Sequence, residues 1–188
     1  MINQVSASYL FPVVSIIVYQ MHSRLNYIFV CFFCAKVICV GIGSGVAPHM
    51  ALIRDRVFAA TKGVAVESLS LYFGNRFEQR EFLYRSELEQ IATDHGHWFT
   101  LHTAFSRDVI GKKIYVQDLV AVNEDVRDIL LERKGLLYVC GNRNLPEPLR
   151  SSLIESFTNG RNDDKSRAEA ISAMEDMFIH GRAQQEVW

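Results

Sequence analysis

The fold of this chain is decided by the stretch Val37-Ile38-Cys39-Val40-Gly41-Ile42-Gly43-Ser44-Gly45-Val46-Ala47-Pro48. Its first four residues are apolar and mostly β-branched, which predicts a short buried strand. The glycines permit a sharp turn, because no Cβ blocks the backbone. Met50, Leu52, Ile53 and Val57 then follow at the spacing of one helix face. Free N–H groups at a helix start attract phosphate, although a purely structural turn would explain the G-x-G-x-G spacing equally well.

Strand-like and helix-like segments alternate after this unit. Strands are predicted at residues 68–73, 98–104 and 136–141. Helices are predicted at residues 82–94, after the cap Asn123, from Pro146, and from a capping box at Ser166-x-x-Glu169. This alternation predicts a doubly wound, Rossmann-like α/β fold, with a mostly parallel five-stranded sheet and helices on both faces.

The apolar spacing within the predicted helices indicates which side chains face inward. They are Tyr84, Leu88 and Ile91 in the first, Val126, Ile129 and Leu130 in the second, Leu149, Leu153, Ile154 and Phe157 in the third, and Ile171, Met174 and Phe178 in the last.

Polar and glycine-rich clusters follow the predicted strands. They lie at residues 41–45, 74–76, 104–107 and 140–142. In a doubly wound sheet the ligand lies across the carboxyl ends of the strands, where the strand order reverses. We therefore expect all four clusters at one edge of the sheet, around one ligand site.

Composition excludes several classes of protein. The chain has 188 residues, which suits one well-cored domain, and its formal net charge is -1. Interleaved acidic and basic residues argue against a general binder of nucleic acid. The cysteines, Cys31, Cys34, Cys39 and Cys140, lie in apolar surroundings, which favours buried thiols in a reducing compartment over a disulfide scaffold or metal pair. A cytoplasmic location is expected.

Residues 1–35 differ from the rest of the chain. They contain two apolar runs separated by a polar break at residues 20–24, and each run is shorter than the roughly 20 residues that a membrane-spanning helix needs. A signal peptide, a membrane anchor that would make the protein membrane-associated, and a misassigned start of the reading frame remain open. We place the globular domain at residues 36–188.

Four motifs occur in order along residues 36–188. They are Gly41-Ile42-Gly43-Ser44-Gly45-Val46-Ala47-Pro48, Leu71-Tyr72-Phe73-Gly74-Asn75-Arg76, Ala104-Phe105-Ser106-Arg107-Asp108 with Lys113-Ile114-Tyr115-Val116-Gln117, and Tyr138-Val139-Cys140-Gly141. Jointly they resemble the NADP(H)-binding domain of the ferredoxin–NADP reductase superfamily, in its diflavin reductase branch. Gly141-Asn142 and the final Trp188 look most like the diflavin reductase of cytosolic iron–sulfur assembly, with the cytochrome and sulfite reductase flavoproteins next.

The resemblance implies how NADP(H) would be bound. Ser44 would bond the pyrophosphate, while Ser106, Arg107 and Lys113 would hold the 2′-phosphate, for which a guanidinium fork and an ammonium are suited. The remaining implied NADP contacts are Ile114, Tyr115, Val116 and Gln117. Of these, Tyr115 would stack on the adenine and Gln117 would hydrogen-bond it.

The resemblance also implies a catalytic side. Cys140 would lie by the nicotinamide, and Trp188 would cover the FAD ring. Glu186, which stands where the cytochrome reductases usually have aspartate, would be the second catalytic residue. Outside this family, Ser106-Arg107-Asp108 would be interpreted as a solvated turn, Cys140 as a packed thiol and Trp188 as a frayed terminus.

Two of the sequence's departures from the family bear most on function. Ile42 replaces the usual proline of the glycine loop, and residues 1–35 are not expected to form the flavin-binding domain that the family places before this one. Two functions follow. In the first, the chain is the NADP(H) half of an FAD- and FMN-dependent oxidoreductase, inactive alone, whose partners are NADPH, a flavin domain and an iron–sulfur or haem protein acceptor. In the second, it is a truncated, non-catalytic nucleotide-binding or interaction module.

Overall fold

Strands and helices alternate through the part of the chain that the structure, a computed structural model, describes: residues 33–109, 111, 113–161 and 163–188. The strands are β1 (Val37–Ile42), β2 (Leu69–Asn75), β3 (Phe99–Phe105), β4 (Leu136–Gly141) and β5 (Ala183–Val187). The helices are α1 (Val46–Thr61), α2 (Glu78–Glu81), α3 (Arg85–Asp94), α4 (Val116–Val122), α5 (Glu124–Arg127), α6 (Pro146–Thr158) and α7 (Asp164–Ile179). The anchor and signal-peptide alternatives, and Cys31, fall on residues 1–32, outside the described residues.

All five strands are parallel and lie in the order β3-β2-β1-β4-β5. The doubly wound α/β fold predicted from the sequence is therefore confirmed, with a sheet that is parallel throughout. The chain first winds outward from β1 to β3 and then returns to the other side of β1 with β4. This reversal between β1 and β4 is the point where such sheets open a crevice for a ligand.

Helices cover both faces of the sheet, because successive side chains of each strand point to opposite faces. Val37 and Cys39 pack with Met50 and Ile53 of α1 and with Leu88 of α3. On the other face, β1 contributes Ile38 and Val40 to a core with side chains from the remaining long helices and from α4 and α5. These helical side chains include Val120, Val126, Leu149, Leu153 and Met174.

Three details of the predicted helices are wrong. Tyr84 lies in a left-handed turn, with φ 57°, between α2 and α3, so its ring is exposed beside the Arg54 guanidinium instead of buried. Asp163, not Ser166, caps α7, since its carboxylate accepts from the Ser166 N–H at 2.8 Å. Phe178 is 39% exposed in the last turn, and Met177 takes the buried position.

Three elements were not located by the sequence patterns, the first being the four-residue helix α2. Helix α4 is short and rich in valine, which has a weak helix propensity, and it begins where the Asp118 carboxylate accepts the Tyr115 N–H at 2.8 Å. Strand β5 is a polar strand, Ala-Gln-Gln-Glu-Val, at the edge of the described sheet, where β4 is its one partner among the described strands. An edge strand with little apolar surface lacks the periodicity by which strands are recognised.

Asn123 is confirmed as a helix cap and also joins two parts of the core. Its Oδ1 accepts from the Asp125 N–H at 3.0 Å, and its Nδ2 donates to the Tyr72 hydroxyl at 2.7 Å. Asn123→Ala should lower the free energy of unfolding by about 1–2 kcal/mol, the sum expected for a cap and a part-buried hydrogen bond. Urea unfolding measures the loss. Asn123→Ser is the matched control, because serine can still cap the helix and loses only the hydrogen bond to Tyr72. Equal losses of stability in the two variants would show that the cap contributes nothing.

None of the helices in the described residues is long and apolar enough to cross a membrane.

Candidate functional site

A cleft of about 630 Å³ opens at the carboxyl edge of the sheet, beside the β1–β4 reversal. Its walls come from the ends of β1, β2, β3 and β4 and from the start of α4. The lining residues are Ile42, Gly43, Ser44, Gly74, Asn75, Arg76, Ala104, Ser106, Ile114, Tyr115, Val116, Gln117, Asn142, Asn144, Leu145, Pro148 and Trp188. The expectation that the strand-end clusters meet at one edge is confirmed.

The glycine turn forms the floor of this cleft below α1. Gly43 adopts φ 55°, a left-handed conformation that favours glycine. A Cβ on Gly45 would overlap the Cys140 carbonyl oxygen, so glycine is what allows the turn to lie against the end of β4. The Val46 N–H already bonds to the carbonyls of Gly43 and Ser44. The open N–H groups of this helix start therefore fall at residues 43–45, where the exposed Ser44 adds a hydroxyl suited to a phosphate.

A recess of about 520 Å³ adjoins the cleft at the end of β3 and shares Ser106 with it. Its other lining residues are Arg107, Val109, Gly111 and Lys113. Arg107 and Lys113 are exposed, and neither forms an ion pair with another described residue. The recess therefore presents two uncommitted cations and a hydroxyl, a donor set that suits a compact dianion.

Tyr115 lines the cleft two residues after Lys113 of the recess. Its ring is 42% exposed, while its backbone is fixed by the Asp118 carboxylate at the start of α4. Ile114 and Gln117 line the cleft beside it. Val116 also lies at the cleft wall, but its side chain is buried in the core. An exposed aromatic ring on a fixed backbone can stack on a planar base.

Cys140 and Glu186 lie opposite each other on β4 and β5. Cys140 is 1% exposed, and burial, reinforced by Glu186, raises the pKa of its thiol to about 11. The thiol is therefore protonated at neutral pH. The Tyr138 hydroxyl donates to Glu186 Oε2 at 3.2 Å, which holds the carboxylate on the same face as Cys140. Cys140 and Glu186 line neither the cleft nor the recess, whereas the other residues of the predicted site line one or the other.

Trp188 is held at its backbone and exposed at its ring. Its N–H donates to the Gly141 carbonyl at 3.2 Å, and its own carbonyl accepts from the Arg143 N–H at 2.9 Å. The side chain is 60% exposed and lines the cleft. These hydrogen bonds extend the β4–β5 pairing, so the interpretation of Trp188 as a frayed terminus is wrong.

The predicted site set omitted four polar residues of the cleft: Asn75, Arg76, Asn142 and Asn144. Their position at or just beyond the carboxyl ends of β2 and β4 was the available signal. Arg76 is paired with Glu81, the two charges being 2.8 Å apart. The Glu81 carboxylate also accepts the N–H groups of Arg76 and Phe77, at 3.1 and 3.2 Å, which closes this turn onto α2.

A buried histidine beside the site was also missed. His49, in the first turns of α1, is 0% exposed, and its Nε2 donates to the Val40 carbonyl at 3.1 Å. Its ring meets the Tyr138 ring edge-on, with centroids 4.8 Å apart. Burial lowers the pKa of His49 to about 4, so the imidazole is neutral at physiological pH.

Comparisons with known proteins agree with this architecture. Residues 39–150 match the family model of the oxidoreductase NAD-binding domain. Over 155 residues, 81% of this chain and 8% of the relative, the sequence is 39% identical to a mitochondrial pyruvate dehydrogenase (NADP(+)) of Euglena gracilis. It is 34% identical to an NADPH–cytochrome P450 reductase of Candida maltosa, with 81% of this chain and 22% of the relative aligned.

A third relative is the bifunctional cytochrome P450/NADPH–P450 reductase 1 of Bacillus subtilis, which is 41% identical over 60% of this chain and 10% of its own length. The chain thus spans less than a quarter of each of these three relatives. The match over residues 39–150 covers the glycine turn and the strand ends that build the cleft. The chain therefore belongs to the oxidoreductase NAD-binding domain family.

Proposed function

We propose that residues 36–188 are the NADP(H)-binding portion of an FAD- and FMN-dependent oxidoreductase. This portion positions NADPH for hydride transfer to FAD on another domain, from which electrons pass to an iron–sulfur or haem protein. The observation that carries the proposal is the recess of Ser106, Arg107 and Lys113, which adjoins a cleft at the β1–β4 reversal. Within the diflavin reductase branch, we place the chain with the enzyme of cytosolic iron–sulfur assembly, on Gly141-Asn142 and Trp188.

The cleft and recess fit a 2′-phosphorylated dinucleotide. The glycine turn offers N–H groups and Ser44 to a pyrophosphate. Tyr115 offers an exposed ring to the adenine, and the neighbouring recess offers a 2′-phosphate two cations that pair with no acidic side chain among the described residues. A plain NAD would leave both cations without an anion. The donor set therefore favours NADP(H) over NAD(H).

On the opposite side of the site, NADPH supplies a hydride when it is bound and FAD supplies the acceptor. The role of this chain is to orient and to exclude water. Trp188 presents an exposed ring suited to covering a flavin. Cys140 brings a small protonated thiol, and Glu186 a carboxylate held by Tyr138, to the same sheet face.

The free thiols among the described residues, Cys34, Cys39 and Cys140, fit a reducing compartment. We therefore propose a cytoplasmic location for this domain.

The 188-residue chain should bind adenosine 2′,5′-bisphosphate at least about tenfold more tightly than adenosine 5′-monophosphate, because charge-assisted hydrogen bonds contribute roughly 1.5–3 kcal/mol each. Isothermal calorimetry at fixed, low salt measures both affinities. The preference should shrink as salt rises, since exposed cations are screened. Equal affinity for the two nucleotides would refute NADP(H) as the ligand.

A further inference from the structure

The loop that carries Arg107 is tied to the neighbouring strand end by one carboxylate. Asp108 follows Arg107 directly, and both of its carboxylate oxygens accept from the Glu78 N–H, at 3.1 and 3.0 Å. Glu78 is the first residue of α2, thirty positions earlier in the chain. The residue in the cap position of α2 is Phe77, whose apolar side chain cannot accept a hydrogen bond. Asp108 therefore supplies the cap from a different loop.

Helix α2 is itself fixed to the end of β2, which makes it a firm support. The Asn75 amide donates to the Glu81 carbonyl at 2.9 Å. The Glu81 carboxylate accepts from the Arg76 guanidinium at 2.8 Å and from the backbone N–H groups of Arg76 and Phe77. Both ends of this four-residue helix are thus bonded, one to the β2 end and the other to Asp108.

The backbone just before Asp108 is held in the same way. The Ser106 N–H donates to the Asn75 carbonyl at 3.0 Å, and the Arg107 N–H donates to the Arg76 carbonyl at 2.8 Å. These bonds continue the β2–β3 ladder two residues beyond β3. Asp108 is the next anchor, at the point where the chain leaves the ladder to form the recess. Arg107 is therefore clamped on both sides while its guanidinium makes no ion pair with a described residue.

We propose that Asp108 is a positioning residue for 2′-phosphate recognition, which holds Arg107 at the mouth of the recess through its bond to the start of α2. This inference rests on the proposed function, because it concerns the same 2′-phosphate. Its chemistry is unusual in one respect: a carboxylate next to an anion site should weaken anion binding by simple repulsion. Positioning and repulsion therefore predict opposite effects when Asp108 is replaced.

The test compares Asp108→Ala and Asp108→Asn in the full 188-residue chain by calorimetry. The ligands are adenosine 2′,5′-bisphosphate and adenosine 5′-monophosphate. Asp108→Ala removes both the charge and the acceptor, and should weaken bisphosphate binding by about three- to tenfold, the cost of ordering a freed side chain on binding. Asp108→Asn removes the charge but keeps one acceptor oxygen, and should bind the bisphosphate at least as tightly as the wild type. The monophosphate affinity should stay within about twofold in both variants.

Asp164 is an exposed acidic residue at the start of α7. Asp164→Ala is therefore the control for the change in net charge, and its affinity for both nucleotides should match that of the wild type. If Asp108→Ala binds the bisphosphate as tightly as the wild type or more tightly, the carboxylate acts only as a charge and the inference is overturned. If Asp108→Ala weakens binding of both nucleotides equally, the substitution has disturbed the whole cleft and not the position of Arg107 alone. That result also overturns the inference. Failure of the wild type to prefer the bisphosphate would instead refute the proposed function itself.

Discussion

Arg107→Ala should weaken binding of adenosine 2′,5′-bisphosphate by about ten- to a hundredfold, because a charge-assisted hydrogen bond contributes roughly 1.5–3 kcal/mol. Arg107 lines the recess, is exposed, and is engaged by no ion pair among the described residues, so the ligand gains its full interaction. Adenosine 5′-monophosphate should be unaffected. Isothermal calorimetry with each nucleotide in turn gives the two dissociation constants for the wild type and for Arg107→Ala.

Two further variants sharpen this expectation. Lys113→Ala should cost less than Arg107→Ala, because an ammonium is a single and more strongly hydrated charge. Arg133→Ala is the matched control, since Arg133 is paired with Asp128 at 2.8 Å and does not line the recess. If Arg107→Ala weakened both nucleotides equally, Arg107 would be contributing general electrostatic attraction, and its assignment to the 2′-phosphate would fail.

The second large effect is a loss of stability in mild acid caused by His49. Burial lowers the pKa of His49 from 6.5 to about 4, so the unfolded state takes up a proton that the folded state refuses. The contribution of neutral His49 to the free energy of unfolding is therefore fully present above pH 6.5 and is lost as the pH falls toward 4. The linkage amounts to about 3 kcal/mol in total, of which roughly 2 kcal/mol is lost between pH 7 and pH 5. Urea unfolding across this range measures the slope.

His49→Phe should flatten this dependence, because phenylalanine keeps an aromatic ring against Tyr138 and has no titratable group. His97 is an exposed histidine on the turn before β3, and His97→Asn should keep the wild-type slope of unfolding free energy against pH. Burial also lowers the pKa of the half-buried His102, which adds a smaller slope of the same sign to all three proteins. A slope in His49→Phe as steep as in the wild type would show that His49 is not the group responsible.

Local sequence patterns predicted most of the fold. The β1–glycine turn–α1 unit, the β4 strand at 136–141, the start of α6 at Pro146 and the Asn123 cap are all found where the spacing of apolar, glycine and capping residues placed them. Each of these signals depends on neighbours a few residues apart, which is the range over which strand and helix geometry is set. The strand-end clusters also met at one edge, since parallel strands place all their carboxyl ends together.

The sequence patterns gave wrong predictions where neighbouring residues or strand pairing, and not apolar periodicity, decide the local structure. Ser166 has the spacing of a capping box, yet Asp163 lies three residues earlier with a stronger acceptor and caps α7 instead. Tyr84 has the spacing of a helix face but lies in the left-handed turn that lets α2 end and α3 begin. Strand β5 carries mostly polar side chains because it is an edge strand, so its pairing with β4 left little trace in the sequence.

The sequence by itself determined the α/β class, the glycine turn and the residue types available for a phosphate, since these follow from local backbone preference and side-chain chemistry. Only the tertiary structure decided how the strands are ordered, that Asp108 caps a helix thirty residues earlier, and that His49 is buried against Tyr138. The physical reason is that such contacts join residues distant in sequence. Their free energy depends on the packing of the whole sheet and its helices, which no local pattern records.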